Sequence, residues 1–314
     1  MLTSTDWSEP AGPGIFIIDT GYIRPRLAAS YLLIDQGQAA LVDVGVNSSV
    51  PAILAALAER GLSAADVRWV ILTHIHLDHA GAAGLLMEQL PQATLVVHPR
   101  GARHMADPSR LIAGSRAIYG AQAYDALYGT IRPVPAGRIH TTVEGETLPL
   151  GARTLTFMHT PGHAKHHHCI HDSGSASVFT GDTFGLSYRE LDVDGRPFIL
   201  PTTTPVDFDP DAAHSSIERI RALRPEAAFL THYGWVKEVD TLADTLHAEL
   251  DTFVALSQQA MSRDDPQAWL AAAITTHLLA RLEAHGYQGG EAVSVLEMDI
   301  KLSASGLLVW RGRA

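Results

Sequence analysis

Apolar positions along this chain follow two periods. Short runs at residues 14–18, 30–34 and 39–42 are dense in Ile, Leu and Val and predict an opening β-meander. Residues 50–60 carry helical spacing and stop at Gly61, a suitable C-cap. A strand at 69–72 comes next, then a polar loop, a helix over 80–90 that ends before Pro91, and a return strand at 94–98. Residues 100–130 are predicted helical, punctuated by Pro108 and Gly114, and cover one flank. Short strands and turns return from 140 to 179. A helix is predicted over 211–223, introduced by the Pro-rich loop 197–210, and a strand over 227–230. Such alternation predicts an α/β (α+β) fold with αββα layers.

Beyond residue 235 the pattern changes. Residues 241–262 and 266–285 have helical periodicity and few glycines, with SRDDP as the turn between them. Residues 293–302 fit either a strand or a short helix closed by Gly306. The chain divides into a main domain, 1–235, and a mostly helical C-terminal extension, 236–314. That extension would stabilise the main domain or form the contact of a homodimer.

Composition narrows the function. With 314 residues, 46% of them hydrophobic, the chain can bury one large core and a smaller appendage. A net charge of −11 argues against a nucleic-acid partner or an anionic membrane surface. No apolar run approaches a membrane span. The N-terminal MLTSTDWSEP has neither a basic nor an apolar region, so no signal peptide is expected. One cysteine, Cys169, leaves no internal disulfide and fits a reducing, cytoplasmic setting, where its expected role is a buried thiol.

The chemistry concentrates in THIHLDHAG, residues 73–81, which follows the 69–72 strand. His74, His76, Asp78 and His79 fall within six positions. Neutral imidazole and carboxylate oxygen suit borderline divalent metals, and one loop leaving a strand can aim several of them at one point. Three more apolar runs end in similar residues. HTPGH presents His163, TGDT presents Asp182 and THYG presents His232.

HxHxDH followed by a distant His, Asp and His resembles the metallo-β-lactamase-fold hydrolases, and HTPGH with GDT is most similar to their glyoxalase II-like branch. The resemblance implies a metallo-β-lactamase sandwich with its metals at one edge between two sheets, and a lid that the 236–314 extension would form over the substrate site. His74, His76 and His163 would hold one ion, Asp78, His79 and His232 a second, and Asp182 would bridge them. It implies two divalent ions, zinc by default, with iron or manganese accepted by the same ligands. The nucleophile would be a metal-bridging hydroxide, which Asp78 could steer. The expected substrate is a small molecule: a thioester, ester or lactone. The alternative is a sulfur (persulfide) dioxygenase of the same fold, with one iron on His74, His163 and Asp182.

Around that centre, Asp43 in LVDVG is expected to fix the tautomer of a coordinating histidine. His167 would hold a supporting or pocket position, while His166 stands where glyoxalase II-like sequences carry glycine. Glutathione-binding relatives carry a tyrosine two residues past the last metal-binding histidine, and here that position is Gly234. Tyr188, as an oxyanion donor, and Tyr233, as a pocket residue, are the remaining candidates. The loop 201–210 is expected to border the entrance.

Overall fold

The computed structural model describes residues 7–313; the first residues of the stretch searched for a signal peptide, and Ala314, lie outside them. Seven strands form the first sheet in sequential order: β1 (Glu9–Gly12), β2 (Ile15–Asp19), β3 (Ala29–Asp35), β4 (Gln38–Val42), β5 (Val67–Ile71), β6 (Thr94–Val97) and β7 (Ile139–Thr141). Pairing is antiparallel up to β4 and parallel from β4 to β7. The second sheet runs β13 (Gly234–Val236), β12 (Ala228–Leu230), β11 (Ser177–Gly181), β10 (His168–Asp172), β9 (Arg153–His159) and β8 (Thr147–Leu150). Only β11 and β12 pair in parallel there.

Strand alternation builds the layers. In β3, Tyr31 and Leu33 face the second sheet and pack with Phe157, Phe179 and Phe229. Leu32 between them faces the other way, into a core with Leu41, Val70 and Leu95. Helices α1 (Val50–Glu59), α2 (Leu77–Ala80) and α3 (Ala83–Gln89) follow, and Ile53, Leu57 and Leu86 cover that outer face. The predicted 80–90 helix is thus two shorter pieces. The 100–130 region breaks into α4 (Pro99–Ala106), α5 (Ser109–Tyr119) and α6 (Ala121–Tyr128), with breaks at Asp107–Pro108 and Gly120 and with Gly114 inside α5.

Beyond the second sheet lie α7 (Pro210–Ala222), α8 (Val239–Ala260), α9 (Pro266–His285) and α10 (Ala292–Arg311). Their apolar residues, among them Ile217, Leu246, Ile274 and Leu296, join the core between the sheets as one continuous cluster. The ambiguous 293–302 segment is a helix that continues through Gly306. There a Cβ would stand 1.8 Å from the Thr203 carbonyl oxygen, so the missing side chain lets α10 press against the 201–205 loop. The boundary expected at 235/236 falls within β13, whose ladder carries the sandwich through Val236. No helix among the described residues is long and apolar enough to cross a membrane.

Candidate metal centre

Strand direction brings the motif residues together. The C-terminal ends of the parallel neighbours β4 and β5 deliver Asp43 and the 73–79 loop. Those of β11 and β12 deliver Asp182 and His232, and the turn after β9 delivers His163. Side-chain donor atoms gather in three overlapping groups, each within 4.8 Å: His74 with His76 and His163, His74 with His79 and Asp182, and Asp78 with His79 and His232.

His76 Nδ1 lies 2.8 Å from His74 Nε2 and 3.1 Å from His163 Nε2. Three ring nitrogens facing one point cannot all be satisfied by shared protons, whereas a cation would satisfy all three. Asp182 divides its carboxylate between the groups. Its Oδ2 faces His163 Nε2 at 3.4 Å, while Oδ1 faces His79 Nε2 at 3.3 Å and His232 Nε2 at 3.7 Å. His79 Nε2 and Asp182 Oδ1 are both buried without a hydrogen-bond partner. Buried polar atoms are nearly always paired, so this orphaned nitrogen and oxygen fit a divalent ion.

The far side of each ring is pinned. His79 donates from Nδ1 to Asp43 Oδ2 at 2.8 Å, and His232 donates from Nδ1 to the Leu27 carbonyl at 2.8 Å. His163 Nδ1 lies 2.6 Å from the Thr202 hydroxyl. These contacts aim Nε2 of His79 and His232 inward and, in the neutral rings that would bind a metal, place the proton on Nδ1. Asp43 itself accepts from Thr73 N, the Thr73 hydroxyl and the Thr231 hydroxyl, which ties the ends of β5 and β12 to one carboxylate.

His167 is fully buried behind the cluster. Its Nδ1 contacts the hydroxyls of Thr160 and Thr183, and its Nε2 accepts from the Asp182 amide at 3.3 Å. It therefore positions Asp182 from behind. Gly181 makes this possible, because at φ +47° any Cβ would sit 2.5 Å from the Thr73 hydroxyl and 2.6 Å from His167 Nε2.

Electrostatics divide the cluster. Burial holds His74 well below the ordinary imidazole range and takes His163 down to about 3, assisted by neighbouring imidazoles. Both rings stay neutral with lone pairs available. Burial opposes charge on His79 and His232 as well, but there the carboxylates win. Asp182, Asp78 and Asp43 lift His79 well above its usual value, and Asp182 and Asp78 lift His232 to about 9. Burial disfavours charge on Asp78 and Asp182 too, and the imidazoles overcome it, holding both carboxyls below the usual range.

A cavity of about 110 Å3 opens beside the cluster. Its floor carries His76, Asp78, Asp182 and His232, and Thr202, Thr204 and Pro205 border it, as expected of the 201–210 loop. Its walls hold residues that sequence reasoning missed: Tyr22, Tyr119 and Tyr128, together with Met298, Asp299 and Leu302 of α10. Two tyrosine expectations are corrected. Tyr188 is fully buried outside the cavity lining, and its hydroxyl donates to Asp299 Oδ2 at 3.1 Å, so that proton is committed and unavailable to an oxyanion. Tyr233 turns away from the cluster and lines a separate cleft with Arg26 and Trp235. The neighbouring imidazoles take no part in the three groups: His166 is half-buried with Nδ1 enclosed and unpaired, and His168 Nδ1 contacts the Thr142 hydroxyl. Cys169 is a fully buried thiol beside Thr160, and burial pushes it up to about 12.

Comparison with known proteins agrees with this architecture. The metallo-beta-lactamase fold-containing protein ST1585 of Sulfurisphaera tokodaii is 25% identical over 234 residues, 73% of this chain and 78% of its own length. Its solved structure superimposes with a TM-score of 0.62 over 96% of both chains, at 20% identity. The acyl-coenzyme A thioesterase MBLAC2 of Gallus gallus is 28% identical over 202 residues, 58% of this chain and 67% of its own. The hydroxyacylglutathione hydrolase of Fuscovulum blasticum is 30% identical over 209 residues, 66% of this chain and 62% of its own. The sequence model of the Metallo-beta-lactamase superfamily matches residues 23–232, the span that contains every donor of the cluster, and the chain belongs to that superfamily.

Proposed function

We propose that this protein is a metal-dependent hydrolase that cleaves a small acyl compound, a thioester first and an ester or lactone next. The observation that carries the reading is Asp182, whose two carboxylate oxygens face different groups of imidazoles at the floor of a cavity. His74, His76 and His163 would hold one ion and Asp78, His79 and His232 a second, with Asp182 shared. Zinc suits this donor set, and iron or manganese would accept it. When bound, two such ions supply Lewis acidity to the scissile carbonyl and activate a water for attack.

The chain supplies everything around that chemistry. Asp43, Thr202 and the Leu27 carbonyl hold His79, His163 and His232 by their outer nitrogens, so the inner ones keep their aim without reorganisation. Asp78 stands 3.2 Å from His232 Nε2 at the cavity floor, placed to accept a proton from the attacking water. No serine or cysteine nucleophile is required, and the one cysteine is buried in its protonated form. Relatives named as an acyl-coenzyme A thioesterase and a hydroxyacylglutathione hydrolase favour the thioester.

The test is metal analysis of the purified protein together with a panel of thioesters, esters and lactones. Two ions per chain and turnover of a short-chain thioester are expected. One iron per chain, with oxygen consumed on a persulfide and no hydrolysis, would overturn the reading.

A further inference from the structure

Asp299 differs from the other enclosed acids of the fold. Asp172 is ion-paired with Arg153 at 2.7 Å, and Glu249 with His277 and Arg281 at 2.8 and 3.1 Å. Among the described residues Asp299 has no ion-pair partner within 4 Å; its one hydrogen bond comes from the Tyr188 hydroxyl to Oδ2. The nearby Arg24 lies over the Tyr188 ring and spends its charge on Glu190. Burial pushes the Asp299 carboxyl up to about 6, although the nearby charges of His232 and Arg24 and the Tyr188 hydrogen bond pull it down.

This carboxylate belongs to the cavity wall, with Oδ1 free of protein partners. No described residue lining the cavity is Lys or Arg. The same cavity is lined by three tyrosines packed on one another. The Tyr22 and Tyr128 rings stack at 5.9 Å with their hydroxyls 2.7 Å apart, and Tyr119 meets Tyr128 edge-on at 5.8 Å. Aromatic rings present electron-rich faces to a cation, and a carboxylate beside them adds a charged acceptor.

We propose that this cavity binds a protonated amine carried on the acyl part of the substrate, its N–H donated to Asp299 and its charge set against the Tyr22, Tyr119 and Tyr128 rings. An anionic group beside Asp299 is disfavoured because the carboxylate repels it; the positive charge of the cavity lies at His232 and at the ions the floor would hold. The proposal rests on the hydrolase reading for the bond that is cut, and adds the chemical class of what is held. A cavity of about 110 Å3 suits a short aminoacyl chain and leaves a large leaving group outside.

Binding and turnover test it separately. Calorimetric titration of the purified protein with n-butylammonium and with 1-butanol should show the cation bound more tightly by about tenfold or more. Specificity constants for the β-alanyl and butanoyl thioesters of N-acetylcysteamine, which match in length, should favour the β-alanyl compound by a similar factor. Asp299→Asn keeps the shape and an acceptor for Tyr188, and should bring both ratios close to one; Tyr119→Leu should lower them by a smaller factor. Equal binding of 1-butanol, or ratios unchanged in Asp299→Asn, would overturn the proposal. Ammonium preference without hydrolysis of any thioester, ester or lactone tested would sink the hydrolase reading and leave the amine site itself standing.

Discussion

Asp43 Oδ2 lies 2.8 Å from His79 Nδ1, so a carboxylate outside the cavity decides which nitrogen of His79 faces it. The same oxygen also accepts from the hydroxyls of Thr73 and Thr231. Asp43→Asn would place an amide donor among donors and force His79 toward the other tautomer. Metal affinity should fall by about 10–100-fold, as for other residues that orient a coordinating histidine. Metal titration of the variant checks this, and an unchanged affinity would remove Asp43 from the argument.

Asp182→Ala should cost more than any outer partner. Removing the carboxylate between His79, His163 and His232 deletes an acceptor common to both groups. Bound metal should drop below two ions per chain and turnover should fall beyond the ~100-fold that outer partners cost. Circular dichroism should stay native-like, since the site sits at strand ends. Near-normal turnover would refute the shared role.

Gly306→Ala reverses an ordinary helix rule. In an exposed helix interior the change would stabilise by about 1 kcal/mol. Here the new methyl would meet the backbone of Thr203 and Thr204, which has no rotamer to yield. A loss on the order of 1–3 kcal/mol is expected from overpacking. Thermal unfolding measures it, and a raised Tm would show that the 201–205 loop does not press on α10 as described.

Acid should weaken the fold before the carboxylates titrate. Burial, aided by His98 and His159, takes His168 down to about 3, far below the ~6.5 of an unfolded histidine. A depressed histidine means the unfolded chain binds the proton first. The contribution is therefore complete above pH ~6.5 and declines by about 1.4 kcal/mol per unit as pH falls toward the folded value. Urea midpoints between pH 7 and 4.5 report the slope, and a flat profile would contradict it.

The donors were legible because each stands where an apolar run ends, so a strand period and a motif coincide. His74, His163, Asp182 and His232 needed no tertiary information beyond parallel strand ends meeting at one edge. Asp43 was legible for the same reason. The cavity wall was not. Tyr119 and Asp299 lie on helices whose pattern reports only a buried face, and Asp299 sits in the segment that read equally as strand or helix. Tyr188 and Tyr233 were drawn to the site by nearness in sequence to Asp182 and His232. Chain direction at those turns carries both side chains elsewhere. Gly306 looked like a stop and is a contact, because sequence cannot show what approaches a glycine from outside its own helix.

The α10 wall has a consequence for how this protein could change over time. Every donor of the metal cluster falls within residues 23–232, while Met298, Asp299 and Leu302 come from the far end of the chain. Part of the cavity wall is thus written in a stretch of the gene apart from the one that supplies the donors. Recombination or drift in the last helix could retarget the protein to a new molecule while the inherited chemistry stays intact.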